Sequence, residues 1–199
     1  RRQAAPPTIG ARIMNALNLK KGASRNSAYN LRTDADDTIE THTLAVLVDN
    51  EAGVLARVIG LFSGRGYNID SLTVAETDHT GHRSRITVVT TGTRSVIEQI
   101  KAQLGRLVPV HEVNDLTVEG PSVERELALI KVAGKGDKRV EALRTAEIFR
   151  ASVVDSTLES FVFELTGTPE KIDALIDLMR PLGLTDVART GVAAIARGL

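Results

Sequence analysis

Four histidines (His42, His79, His82 and His111), 25 acidic side chains and one short glycine-rich loop are the groups here that could do acid–base, metal or phosphate chemistry. His79 and His82 stand three apart, but Asp78-His79-Thr80-Gly81 reads as a hairpin turn, and no further ligands are set beside them. A metal centre needs three or four converging donors, so a solvated turn is the better reading. Gly134-Lys135-Gly136-Asp137-Lys138 falls between a strand and a helix, where a phosphate loop would sit, yet it lacks the spacing and the Lys-Ser/Thr pair of a Walker A element. No Gly-x-Ser-x-Gly elbow occurs, and no Gly-x-Gly-x-x-Gly follows a strand. No carboxylate pair is marked out by an apolar pocket that would shift one pKa. Cysteine is absent, which removes disulfides, thiolate nucleophiles and most structural zinc sites together. Nothing here makes a catalytic set.

The stretch from Asp49 to Ile69 offers binding chemistry instead. Leu44 to Val48 is almost wholly apolar, as in a strand covered on both faces. After a polar loop, Leu55, Val58, Ile59 and Phe62 follow at i, i+3, i+4 and i+7, one face of a helix. Gly64 and Gly66 sit where a helix C-terminus calls for positive φ. Gly53 puts bare backbone N–H groups at the helix start, where the dipole attracts an anion such as a carboxylate. An amino acid offers a carboxylate, an ammonium group and a short side chain. The helix start at Gly53, Val54 and Leu55 would take the carboxylate, and Asn50, with donor and acceptor atoms, would meet either charged group. Asn68 and Ile69, opening the next strand, would reach the same site from a neighbouring copy. The competing reading is an ordinary strand–helix connection whose asparagines are caps and turn residues.

The charge balance is even, with 25 basic and 25 acidic residues, so net charge argues for neither nucleic acid nor an acidic partner. The distribution is uneven. Residues 1–33 hold seven basic side chains and no acidic one, leaving 18 basic and 25 acidic residues in the remainder, a net of −7. Residues 1–39 read as a disordered tail, because no strong amphipathic pattern runs through them. A basic, acid-free start leaves organelle targeting open beside a bacterial, cytoplasmic location. No apolar run approaches the ~20 residues of a membrane span.

The elements that must position this stretch come in a repeated order. Residues 40–118 read strand, helix, strand, hairpin, strand, helix, strand, with Ile97, Ile100, Leu104 and Leu107 striping the second helix. Residues 119–126, with Gly120-Pro121-Ser122, read as a linker. Residues 127–199 repeat the order. Their second helix carries the strongest signals: Thr168 as N-cap, Pro169 at the first position, and a stripe of Ile172, Leu175, Ile176 and Met179. The fold class is α+β, two tandem βαββαβ units of ferredoxin-like arrangement. Each unit covers one side of its sheet, so the other side must be solvated or covered by a partner, and pairing between copies is expected. Ferredoxin-like sheets also bind RNA through aromatic side chains, but only six aromatics exist and the middle strands offer no stacking platform.

The stretch Asn50 to Ser63, continued by Arg65-Gly66-Tyr67-Asn68-Ile69-Asp70-Ser71-Leu72-Thr73-Val74, resembles the ACT domain of the acetohydroxyacid (acetolactate) synthase small, regulatory subunit. The resemblance runs on through Val123-Glu124-Arg125-Glu126-Leu127, Glu147-Ile148-Phe149-Arg150 and Arg189-Thr190-Gly191, covering about residues 42–198. It implies a non-catalytic regulatory subunit, a homodimer, that activates a separate catalytic large subunit and confers feedback inhibition by valine or another branched-chain amino acid. It places the effector between ACT domains of two chains, at Asn50, Gly53, Val54 and Leu55 of one and Asn68 and Ile69 of the other. It assigns thiamine diphosphate, magnesium and FAD to the catalytic partner and no cofactor or metal to this chain, with no nucleic acid or membrane involved. Ala52 departs from the proline common before the glycine in the wider ACT superfamily. The alternative is a ligand-sensing ACT-domain regulator of another enzyme or of transcription.

Overall fold

Alternation along the first strand sets the architecture. Leu44, Val46 and Val48 are buried on one face, where Val54, Val58 and Phe62 of the first helix and Ile97, Ile100 and Leu104 of the second close over them. Each fully buried aliphatic or aromatic side chain contributes about 2 kcal/mol, which makes this cluster the main support of the first unit. The computed structural model describes residues 38–198; residues 1–37, where nearly all of the expected tail falls, lie outside the described residues.

In chain order the first unit is β1 (Ile39–Asp49), α1 (Val54–Arg65), β2 (Ser71–Asp78), β3 (Arg83–Thr93), α2 (Arg94–Leu104) and β4 (Val110–Asp115). The second is β5 (Ser122–Ala133), α3 (Asp137–Phe149), β6 (Ser152–Ser156), β7 (Ser160–Gly167), α4 (Pro169–Gly183), β8 (Leu184–Arg189) and β9 (Ala193–Ala196). The sheets have the same antiparallel order, β2-β3-β1-β4 and β6-β7-β5-β8, so the expected tandem βαββαβ arrangement is present. The stripe of α4 is buried as expected, against Ile130, Phe163 and Leu165.

Several local expectations change. Gly66 is the C-cap of α1 at φ +71°, but Gly64 lies inside the helix with ordinary helical backbone. The buried face of α1 is Val54, Val58 and Phe62, with Leu61 beside them, rather than the Leu55–Ile59 face. Burial of Val54 turns Leu55 outward. β5 begins at Ser122, inside the segment read as a linker, because Ser122–Arg125 pair with Ala193–Ala196 of β9. The expected last strand is two, separated at Thr190–Val192, where Gly191 takes φ +85°.

Part of the open face of the first sheet is covered within the chain. Ala45, Val89 and Leu116 are buried there by Val192 and Ala194 of the same chain. A second copy is therefore not needed to keep that patch from water.

Candidate functional site

The loop leading into α1 is pinned at three points. The Asn50 N–H donates to the His82 carbonyl at 2.7 Å, the Glu51 N–H to the Asp49 carbonyl at 3.0 Å, and the Asp49 carboxylate meets the His111 ring. Gly53 then turns the chain into the helix at φ +89°, a left-handed backbone that other residues adopt at a cost of about 1–2 kcal/mol. An added Cβ at Gly53 would meet nothing within 4 Å, so the space above this backbone is open.

The helix start is left electropositive. No side chain caps it and no acidic residue lies in its first turn. Arg57 makes the first helical bond, its N–H on the Gly53 carbonyl at 3.0 Å. Val54 N–H has only a long contact, 3.4 Å, to the Glu51 carbonyl, and among the described residues the N–H groups of Gly53, Leu55 and Ala56 have no backbone acceptor. Unpaired N–H groups at a helix N-terminus carry about half a positive charge, which suits a carboxylate. Gly53 and Asn50 are exposed, Leu55 is 37% exposed, and Val54 at 4% offers a ligand only its backbone.

Asn68 and Ile69 form a separate station. Asn68 is exposed; its side-chain amide donates to the Asp70 carboxylate and its carbonyl accepts the Thr90 hydroxyl at 2.6 Å. The Asp70 carboxylate also accepts the Thr91 hydroxyl, at 2.7 Å. Ile69 is half-buried against the first core.

One chain does not bring the two stations together. Twelve residues of α1 at 1.5 Å each put roughly 18 Å between them. β3 gives a second ruler: Asn50 is tied to His82 and Asn68 to Thr90, eight residues apart, or roughly 27 Å of extended strand. A small ligand touching both must lie between two chains.

A cleft of about 780 Å³ lies elsewhere, between the open face of the first sheet and the β5–β8–α4 end of the second unit, and none of the six site residues lines it. Asp70 and Ser71, next in sequence to Ile69, do border it, with Arg189, Glu126 and Val192 opposite. Arg189 grips the buried Glu126 through two N–H groups, one at 2.8 Å, and reaches Asp173 at 2.6 Å. The Glu126 carboxylate first, then that of Asp173, hold the guanidinium pKa well above its usual value.

Sequence reasoning missed a buried pair in the first unit. His42 Nδ1 lies 2.9 Å from Asp115 Oδ2, with both residues almost wholly enclosed. Lys101 Nζ stands 3.9 Å from the same carboxylate. The signal was present: His42 falls in the inward alternation of Leu44, Val46 and Val48. Among the described residues no group of three or more His, Asp or Glu side chains is placed to hold a metal ion, and no helix is long and apolar enough to cross a membrane.

Comparison with known proteins follows the same two-unit division. Residues 44–112 match the family model described as an acetohydroxyacid synthase (AHAS) small subunit-like ACT domain. Residues 125–198 match the model described as the small subunit of acetolactate synthase. A probable acetolactate synthase small subunit of Archaeoglobus fulgidus is 48% identical over 157 residues, 79% of this chain and 97% of that protein. The acetolactate synthase isozyme 3 small subunit of Escherichia coli is 47% identical over 156 residues, covering 78% of this chain and 94% of its own. The crystal structure of the Thermotoga maritima acetolactate synthase small subunit superposes with a TM-score of 0.72 at 38% identity, over 80% of this chain and 99% of that one.

Proposed function

The chain belongs to the family of acetolactate synthase small subunits, and we propose on that footing that it is the regulatory, non-catalytic subunit of such an enzyme in branched-chain amino acid biosynthesis. It activates a catalytic large subunit in the cytoplasm and transmits feedback inhibition by valine. Thiamine diphosphate, magnesium and FAD belong to that large subunit, where the carbon–carbon bond chemistry takes place.

The observation that carries the effector reading is the uncapped helix start at Gly53. The valine carboxylate accepts hydrogen bonds from the N–H groups of Gly53 to Leu55, and the Asn50 side chain meets a charged group of the ligand. Asn68 and Ile69 of a second chain close the pocket, Asn68 over the polar end and Ile69 against the side chain. The distance between the two stations within one chain supports a homodimeric site.

Inhibition requires that valine bind one arrangement of the dimer better than another; equal affinity would shift nothing. The test is reconstitution with the catalytic subunit. Gly53→Asp sets a carboxylate against the ligand's own, and should leave activation intact while abolishing valine inhibition and calorimetrically detected valine binding. A fully valine-sensitive Gly53→Asp holoenzyme would sink this assignment.

A further inference from the structure

The β8–β9 connector lays one residue of backbone across β2 of the first unit. The Val192 N–H donates to Ser71 Oγ at 2.9 Å, and the Thr73 hydroxyl donates to the Val192 carbonyl at 2.8 Å. Ser71 and Thr73 are two apart on one strand and therefore present their hydroxyls on the same face. Gly191 makes the approach sterically feasible: at φ +85°, an added Cβ would stand 2.8 Å from Ser71 Oγ and 3.1 Å from Thr73 Oγ1. Beside these bonds Val192 and Ala194 pack on Ala45, Val89 and Leu116.

This joint is narrow. It borders the cleft of about 780 Å³, across which Asp70 and Thr41 of the first unit face Glu126 and Arg189 of the second. Two hydrogen bonds and the apolar side chains of Ala45, Val89, Leu116, Val192 and Ala194 make the contact point beside the cleft. Packed contacts of this kind shift between discrete arrangements rather than deform continuously.

β2 carries two attachments within six residues. At its entry stand Asn68, whose side-chain amide donates to the Asp70 carboxylate, and Ile69, packed on the first core; directly after come Ser71 and Thr73, which hold Val192. We infer that Ser71 and Thr73 are positioning residues that couple occupancy of the effector pocket at Asn68–Ile69 to the seating of the second unit on the first sheet. A ligand that closes on Asn68 and Ile69 displaces the start of β2, and the two hydroxyls pass that displacement to the Val192 backbone and so to the second unit. The inference rests on the effector reading above, since it needs a ligand at the β2 entry.

The experiment uses the full chain reconstituted with the catalytic subunit, with valine as the probe. Thr73→Val removes the donor at nearly constant shape, Thr73→Ser keeps it, and Gly191→Ala disturbs the same joint from the other side. Three quantities are measured: valine affinity of the regulatory subunit alone, activation without valine, and the ratio of activities without and with saturating valine. Coupling between sites is typically about 5–150-fold. The inference expects Thr73→Val and Gly191→Ala to bind valine within about threefold of wild type and to activate normally. It expects their inhibition ratio to fall at least about fivefold towards unity, with Thr73→Ser retaining the wild-type ratio. Undiminished inhibition in both variants overturns it. So does loss of valine binding restored by Thr73→Ser, which would place the hydroxyl in the pocket, and so does loss of activation in parallel with inhibition, which would make the joint merely structural. Failure of the effector reading shows separately, as valine affinity unchanged by Gly53→Asp.

Discussion

Gly53 and Asn68 stand at opposite ends of α1, roughly 18 Å apart by its twelve residues, so neither completes a pocket with the other in one chain. Mixed dimers test what that separation implies. Pairing a Gly53→Asp chain with an Asn68→Ala chain puts both lesions in one pocket and leaves the other wholly wild type, if each pocket draws on two chains. Tagged heterodimers should then bind one valine per dimer, while each mutant homodimer binds none. Heterodimers that bind no valine would show that each pocket lies within a single chain.

Gly183 and Gly64 make opposite predictions for the same substitution. A Cβ on Gly183 would lie 2.1 Å from the Ala133 carbonyl oxygen, and its φ is +109°. Strain and overlap together should cost Gly183→Ala about 3 kcal/mol or more. Gly64 is helical, exposed, and has nothing within 4 Å of the added carbon. Gly64→Ala should stabilise the chain by about 0.5–1 kcal/mol. Urea unfolding of the two variants reads both signs, and a stabilised Gly183→Ala would contradict the backbone geometry at the end of α4.

What was legible in the sequence was what local chemistry dictates. Thr168-Pro169 and the stripe behind it placed the start of α4, and Gly53 marked the helix start that proves to lack a side-chain cap. The misses are tertiary in origin. β5 reaches back to Ser122 because β9 pairs with it across about seventy residues, which no propensity near Pro121 announces. The expected stripe on α1 holds at Val58 and Phe62 and fails at Leu55, which is as apolar as Val54, so that only the direction of the sheet decides which of the two turns inward. Gly191 falls within what reads as a single last strand; that the chain turns there against the hydroxyls of Ser71 and Thr73 depends on a contact about 120 residues away in sequence.

Arg189 holds Glu126 by a fork of two N–H groups, and Glu126 is only 4% exposed. Removing the guanidinium strands a buried carboxylate. Arg189→Met should therefore cost about 3 kcal/mol. Arg189→Lys should recover only part of this, since an ammonium cannot make the bidentate contact. Thermal unfolding of the two variants checks the order; equal stability in Arg189→Lys and wild type would mean that charge alone, and not the fork, holds β5 to β8.

His42 and Asp115 make the last prediction, because the pair is joined at 2.9 Å where the first core meets α2. Asp115 is fully enclosed and also accepts the Thr117 N–H at 3.2 Å, so its carboxylate organises the chain leaving β4. Asp115→Ala leaves the His42 ring and the Thr117 amide without their acceptor and should cost about 3 kcal/mol. His42→Ala removes the other partner and should cost a similar amount. Their effects should not add. Once one partner is gone the second has already lost its mate, so the double change, His42→Ala with Asp115→Ala, should be milder than the sum of the single changes by about 1–3 kcal/mol. Urea midpoints of the singles and the double complete the cycle. Strict additivity would show that His42 and Asp115 are enclosed independently, each stabilised by its own surroundings and not by the other.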